Sequence, residues 1–365
     1  MLKPNVCFTI CALSSSGGTE RVSTIIANQL ATCGYNITFV SEFGKKEPYF
    51  PLNKKIKLFR IIRNEMEHKM RHIPGYVQYR YQKILRQQKI DVVIDVGTLM
   101  TEISAEACCK LGIKLISWDH FNFTCMQNDT RMKNVMQLMH KYSSQLVVLT
   151  KDDRQMYLEN TNFKPEFITQ IYNPLSLNIF EFTPHNNNKV LAVGRFMPQK
   201  GFDILLKIWA KVESQISDWS LDIIGDDGSD EAGLHGIKES LNLQRVNLLP
   251  ATKDIITKYR EASIYVLSSR FEGFPMVLLE ATAMSLPIVA FNCKTGPSEI
   301  VTNGQNGYLV EQNDLDDFVH KLINLMKDGE LRQNMGRKSF EISKRFTMES
   351  VLPQWQNLLL KIKQI

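Results

Sequence analysis

The sequence predicts an α/β protein made of two sheet-and-helix domains that face a central cleft. Three observations predict it. Short apolar runs alternate with helical stretches from residue 5 to residue 159, the pattern of a mostly parallel sheet with crossover helices. The texture then breaks, where Pro174, Pro184 and the run Asn186, Asn187, Asn188 read as linker and surface loop. A second alternation starts at Val190. With 365 residues the chain is long for one core and ample for two.

In the first half, NVCFTICAL (5–13) is a strand. After a Ser/Gly turn, TERVSTIIANQLATCG (19–34) has helical apolar spacing and a stop at Gly34. YNITFVSEF (35–43) and IKLFRI (56–61) are strands, and GYVQYRYQKILRQQKI (75–90) is basic and amphipathic. DVVIDVG (91–97) is a strand, TEISAEACCKLG (101–112) a helix stopped by Gly112, and IKLISWDH (113–120) the next strand. RMKNVMQLMHKY (131–142) is helical, and SSQLVVLTKDDRQMYLE (143–159) reads strand then helix. The second half repeats the scheme from VLAVGRF (190–196) through FDILLKIWAKV, WSLDIIGD, LHGIKESLNL, RVNLLP, KDIITKYREA, SIYVLSS, PMVLLEATAM and PIVAF to GYLV (307–310). The domains are expected at residues 1–178 and 179–350, with a last helix at 351–365.

Apolar residues make up 44% and charged residues 22%, which fits a soluble globular chain and excludes a disordered one. No apolar run approaches the ~18–20 residues a membrane span needs. The first run is short and broken by Asn5 and Thr9, so it reads as a strand and not a signal peptide. Seven cysteines (7, 11, 33, 108, 109, 125 and 293) are scattered, odd in number and mostly in apolar segments. Reduced, buried thiols of a cytosolic protein are expected, without a zinc site. The net charge of +6 is uneven: from Lys45 to Lys89 thirteen Lys/Arg stand against three acidic residues. That stretch suits a phosphate-rich ligand, nucleic acid or an acidic membrane surface, and equally a solvated basic face.

Five features sit where strands end. In SSSGGTER (14–21), Gly17 and Gly18 precede a helix whose free N–H groups can meet an anion, although an ordinary tight turn reads as well. In SWDHFNF (117–123), His120 follows a strand and can donate a hydrogen bond or be structural. In VGRFMPQKG (193–201), Gly194 and Arg195 follow a strand and Lys200 precedes Gly201 and a helix, so two cations five residues apart can clamp a diphosphate or be solvated surface charges. In IIGDDGSD (223–230), Gly225 allows close approach, and turn chemistry explains the acids as well as a metal would. In SSRFEGFPMVLLE (268–280), Glu272, Gly273 and Phe274 form a loop, Pro275 is expected at the first helical position, and Glu280 lies inside an apolar helix, where a charge needs a partner or ligand. Two carboxylates eight residues apart can hold hydroxyls at two points of one ligand. Downstream, Gly296 and Pro297 open another helix, with Glu299 in its first turn.

Together these features resemble the retaining glycosyltransferases of family 4, with the two-domain GT-B fold of Rossmann-like halves. The resemblance covers nearly the whole chain and is most specific in its second half. The family's paired-glutamate element is similar to Glu272 and Glu280, its Arg/Lys clamp to Arg195 and Lys200, its Gly-Gly loop to Gly17 and Gly18, and its strand-end histidine to His120. GPSEI and NGYLV fall where the family closes its nucleotide pocket, and SVLPQWQNLLLKI, with Trp355, resembles a last helix that crosses back to the first domain. GDDGSD departs from the family's usual Gly-Asp/Glu-Gly and shifts the turn by one residue.

The resemblance implies a nucleotide-diphosphate sugar donor, by family habit UDP-linked. The second domain would hold most of it, with contributions from Gly194, Gly225, Gly273, Phe274 and Pro275, and Gly17 and Gly18 of the first domain would add to the donor site. Glu280 would take the ribose, Glu272 the donor sugar, Arg195 with Lys200 the diphosphate, and His120 would contact the donor sugar or support the acceptor site. No metal and no cofactor are implied. The anomeric configuration would be retained, and a hexose or N-acetylhexosamine would pass to a glycan or a lipid-linked (polyprenyl-diphosphate) acceptor in capsule or lipopolysaccharide synthesis. Such an enzyme would be cytoplasmic and peripheral on the inner membrane face, bound there through residues 45–89. A nucleotide-sugar epimerase or a non-catalytic nucleotide-sugar module is the alternative; the module should have lost Arg195, Lys200 or Glu272. No motif supports a nucleic-acid partner.

Overall fold

A computed structural model describes residues 3–364 except 71, 74, 128, 178–180 and 227, and leaves the side chains of 126 and 226 undescribed. The chain forms two compact units: Met1–Ser176 with Met348–Ile365, and Leu177–Thr347. The boundary expected at 178/179 falls among residues outside the described set.

In the first unit the strands are β1 (Asn5–Ala12), β2 (Asn36–Phe43), β3 (Lys57–Arg60), β4 (Val92–Val96), β5 (Lys114–Trp118), β6 (Gln145–Val148) and β7 (Ile168–Gln170). They form one sheet, ordered β3-β2-β1-β4-β5-β6-β7, and every pairing is parallel. The helices are α1 (Gly18–Thr32), α2 (Glu65–Met70), α3 (Tyr76–Gln87), α4 (Thr101–Leu111), α5 (Phe123–Met126), α6 (Thr130–Tyr142) and α7 (Lys151–Asn160). The β7 edge strand is not among the strands expected from the sequence. Its three residues are too few to show an alternation.

In the second unit β8 (Lys189–Val193), β9 (Ser220–Asp226), β10 (Val246–Pro250), β11 (Ile264–Leu267), β12 (Ile288–Phe291) and β13 (Gly307–Val310) form a second parallel sheet, ordered β10-β9-β8-β11-β12-β13. Its helices are α8 (Phe202–Glu213), α9 (Leu234–Ser240), α10 (Ile255–Glu261), α11 (Met276–Ala283), α12 (Pro297–Ile300), α13 (Leu315–Lys327) and α14 (Gly329–Ser343). The sequence expectation did not include α13 and α14. In the core of this unit Leu206 and Trp209 of α8 and Ile223 of β9 cluster with Phe318 and Leu322 of α13.

The final helix, α15 (Met348–Gln364), packs on α1 and β4 of the first unit. Its Trp355 is fully buried and meets Trp118 edge-on, with ring centroids 4.8 Å apart. Lys363 pairs with Asp91 at 3.3 Å.

Only Cys7, Cys108 and Cys293 are buried; Cys11, Cys109 and Cys125 are exposed and Cys33 lies between. The expectation of mostly buried thiols is corrected, because α4 turns Cys109 outward next to inward Cys108.

The first unit also buries carboxyl groups. Asp95, in the middle of β4, accepts from Ser104, and burial pushes its carboxyl up to about 7. Asp119 and Asp153 are buried close together: Tyr157 Oη donates to Asp119 at 2.8 Å, and the Phe123 N–H to Asp153 at 2.7 Å. Burial raises both carboxyls, and for Asp153 the charge of Asp119 raises it further. A raised native value means that the folded state keeps protons the unfolded chain releases near pH ~4. The first unit should therefore lose stability as pH rises from ~4 through about 7. Hydrogen exchange of the β4 amides should quicken over that window beyond the intrinsic rate, and Asp95→Asn should flatten the dependence. An unchanged pH profile in that variant would refute the assignment to Asp95.

Candidate active site

Each sheet reverses its strand order once, β1/β4 in the first unit and β8/β11 in the second. In open α/β sheets ligands bind at such switch points, beyond the carboxyl ends of the strands. In the second unit the flanking loops are 194–201 and 268–275.

These loops are stitched together. The Arg270 N–H donates to Gln199 O at 2.9 Å, and Ser268 Oγ to Lys200 O at 3.0 Å. The Arg270 guanidinium grips Asp203 with two bonds of 2.8 and 2.7 Å and also donates to Pro198 O. It holds the Asp203 carboxyl below its usual range, chiefly by hydrogen bonding. Gly201 has φ +62°, and a Cβ there would stand 2.1 Å from Ser268 O. Both the backbone angle and the contact demand glycine.

That stitching brings Lys200 and Glu272 together. Lys200 Nζ lies 2.8 Å from Glu272 Oε1, which also accepts from Ser269 Oγ at 2.6 Å. Glu272 is buried. Thr295 Oγ1 donates to the Glu272 carbonyl at 2.5 Å. Thr295 is buried and has φ +61°. A β-branched residue rarely adopts that angle, and it persists where the surroundings enforce it. Cys293 is buried nearby, and burial pushes its thiol up to about 12, so it is an inert neighbour.

The other expected residues of this unit divide. Arg195 is exposed on the first of the two loops. Glu280 is buried in α11 and accepts from Tyr259 Oη at 3.0 Å, so the protein itself supplies the partner its burial requires. Gly225 has φ +136° and lies against Gly194, whose carbonyl oxygen would be 2.1 Å from an added Cβ; this glycine serves close packing of two strand ends. The Phe274 side chain is buried, with its ring 5.8 Å from that of Phe346, so Phe274 can offer a ligand its backbone and not its ring. Pro275 caps α11 and is not its first residue, because its ψ of 94° is extended and the helix starts at Met276. Asp227 and the side chain of Asp226 lie outside the described residues.

In the first unit, Gly17 caps α1 with an extended φ of −73°, and Gly18 begins the helix. A Cβ on Gly17 would meet only the flexible Glu20 side chain, so this turn does not demand glycine. His120 follows β5. Its ring lies 4.1 Å from that of Trp118, which Trp355 backs from α15. Burial pulls the imidazole down to about 3, so it is neutral, and its Nε2 has no partner among the described residues.

Sequence reasoning missed Arg270, Asp203, Ser269, Thr295 and Tyr259. The signal available was weak: Arg270 stands two residues before Glu272, and Asp203 in the first turn of α8.

Residues 16–178 match the family model described as Glycosyltransferase Family 4, and residues 178–341 that of Glycosyl transferases group 1. A Haemophilus influenzae protein, an uncharacterized glycosyltransferase, is 33% identical over 96% of this chain and 99% of its own length. The chain belongs to glycosyltransferase family 4. The amylovoran biosynthesis glycosyltransferase AmsD of Erwinia amylovora is 30% identical to this glycosyltransferase over 96% of this chain and 98% of its own. The structure of HepE from Anabaena in complex with UDP matches with a TM-score of 0.81 at 17% identity, over 98% of this chain and all (100%) of that one. The fold is GT-B, and the glycosyltransferase is related to enzymes of polysaccharide and lipopolysaccharide synthesis.

Breaking one side of the Lys200–Glu272 pair leaves a mostly buried charge. Lys200→Met and Glu272→Gln should each destabilise the second unit by about 3 kcal/mol, and the double variant by clearly less than the sum. Urea unfolding in a double-mutant cycle measures this; strict additivity would show that the pair is not coupled.

Proposed function

We propose that this glycosyltransferase retains anomeric configuration. It moves a hexose or N-acetylhexosamine from a UDP-linked donor to a glycan or lipid-linked glycan in bacterial surface polysaccharide synthesis. The observation that carries this reading is the Lys200–Glu272 pair at the switch point of the second sheet. An ammonium has three donors, so Lys200 can hold Glu272 and still face a phosphate. Arg195, on the same loop, adds a planar fork for the diphosphate. HepE, which shares the fold, is described in complex with UDP.

In this reading Glu272 accepts donor-sugar hydroxyls and Glu280 the ribose hydroxyls. Backbone N–H groups beside Gly273 orient the sugar. The acceptor lies against the first unit, where Gly17 and Gly18 open α1 and His120, kept neutral, offers a hydrogen bond. The bond from the acceptor oxygen to the anomeric carbon forms on the face from which the diphosphate leaves. The departing phosphate oxygen takes the hydroxyl proton. Arg195 and Lys200 stabilise the charge that develops there, a role for which fixed cations are suited. No carboxylate is assigned as general base.

We also assign the enzyme to the inner membrane face as a peripheral protein. Among the described residues no helix is long and apolar enough to cross a membrane. The cation-rich stretch from Lys45 to Lys89 carries the exposed apolar side chains of Tyr49, Met66, Ile73 and Tyr79, a mixture that suits an anionic bilayer surface.

Incubation with the UDP-linked forms of glucose, galactose, N-acetylglucosamine and N-acetylgalactosamine should show slow hydrolysis of one donor. NMR should show a product with the donor's anomeric configuration. Glu272→Ala and Lys200→Ala should each lower turnover about a hundredfold or more while the fold persists. Near-wild-type turnover in both would overturn these roles, and an inverted product would overturn retention.

A further inference from the structure

A groove of about 610 Å³ lies between β3 and α3 in the first unit. Lys46, Arg60, Arg63, Arg80 and Lys83 line it, and no carboxylate does among the described residues. Two of the arginines are held in place. Buried Glu67 takes Arg63 through Nη2 at 2.6 Å and Nε at 3.0 Å, and Arg80 through Nη1 at 2.6 Å. Arg80 Nη1 also donates to Tyr76 Oη at 3.1 Å, and its side chain is only 18% exposed. Arg60 Nη1 donates to Gly44 O at 3.0 Å. One carboxylate thus anchors two arginines and cancels the charge of one.

Like charges gathered in a groove repel one another unless an anion joins them. Solvated surface cations would spread apart on mobile side chains. Here at least three are fixed by hydrogen bonds before any ligand arrives, so less ordering remains to be done on binding. Arginine forks fit phosphate oxygens. The same groove has an apolar wall from Phe59 and from Tyr79, which is 65% exposed. A cation cluster beside an exposed ring suits a phosphate joined to a hydrocarbon part.

We propose that the groove between β3 and α3 binds the phosphate or diphosphate ester group of an amphiphile. Binding needs only the first unit's own residues; its use, to hold a lipid-linked acceptor or the bilayer beneath it, rests on the function proposed above.

The test uses the full chain and vesicles of phosphatidylcholine alone, with phosphatidic acid, or with phosphatidylserine at matched surface charge. Flotation should show strongest binding to the phosphatidic acid vesicles, reduced by inorganic diphosphate. Lys46→Ala/Lys83→Ala, which alters two exposed groove cations, should bind about tenfold or more weakly. The control Lys54→Ala/Lys69→Ala removes the same charge outside the groove and should keep most of the binding. Calorimetry with inorganic diphosphate alone separates the sources. A groove-dependent signal there without vesicle binding supports the anion site but assigns it to a soluble phosphate ester. Equal losses in the two double variants, or no preference for phosphate vesicles together with no diphosphate binding, would overturn the proposal. UDP binding, measured in parallel, should be unchanged in both double variants. Its absence from the wild-type chain would count against the donor reading and leave the groove to be judged separately.

Discussion

The second unit depends on a close approach between two loops that are far apart in sequence. Lys200 and Glu272, 72 residues apart, meet at 2.8 Å because β8 and β11 are neighbours where the strand order reverses. Gly201 lets the loops touch, Arg270 clamps one to the other through Asp203, and Thr295 accepts a strained backbone angle to reach the Glu272 carbonyl. The energetic sense is preorganisation. A carboxylate and an ammonium are taken from water during folding, at a cost their mutual attraction and added hydrogen bonds offset, so both stand at fixed positions.

The first unit solves a different problem. Its sheet carries polar groups into the interior: Asp95 in β4, the Thr9–Tyr81 hydroxyl pair, and the Asp119–Tyr157 contact with Asp153 nearby. Buried polar groups are tolerated when they are hydrogen-bonded. The Asp119 and Asp153 bonds reach the backbone of Phe121 and Phe123, so they shape the loop that carries His120. Trp118 and Trp355 support the same histidine from below, which makes the last helix of the chain part of the platform on which a residue 235 positions earlier, His120, rests.

Charge is used in two ways. Around Lys200 it is balanced and largely withdrawn from solvent. Between β3 and α3 it is unbalanced and open, with Glu67 anchoring two arginines and cancelling the charge of only one. The distinction separates a cation held against a buried carboxylate from cations whose combined charge is left open to solvent.

The alternation of strands and helices, the two-unit organisation, and the strand-end positions of Lys200, Glu272 and His120 were all legible in the amino-acid sequence. Those features depend on local periodicity, on glycine and proline punctuation, and on residue types a few positions apart. The same local signals carried enough motif to indicate the family. Which charges meet was a matter for the folded chain. Glu280 has Tyr259 as a partner, Phe274 turns inward, Pro275 stands outside its helix, and Arg270 closes on Asp203 from 67 residues away. The short β7 strand was settled there too, whereas the return of α15 to the first unit was already implied by the resemblance of SVLPQWQNLLLKI to a helix that crosses back. The cause is the same in each case: a hydrogen bond or ion pair between distant residues forms only after strand order and register have placed their backbones within a few ångströms, and neither side chain signals that distance in its own neighbourhood.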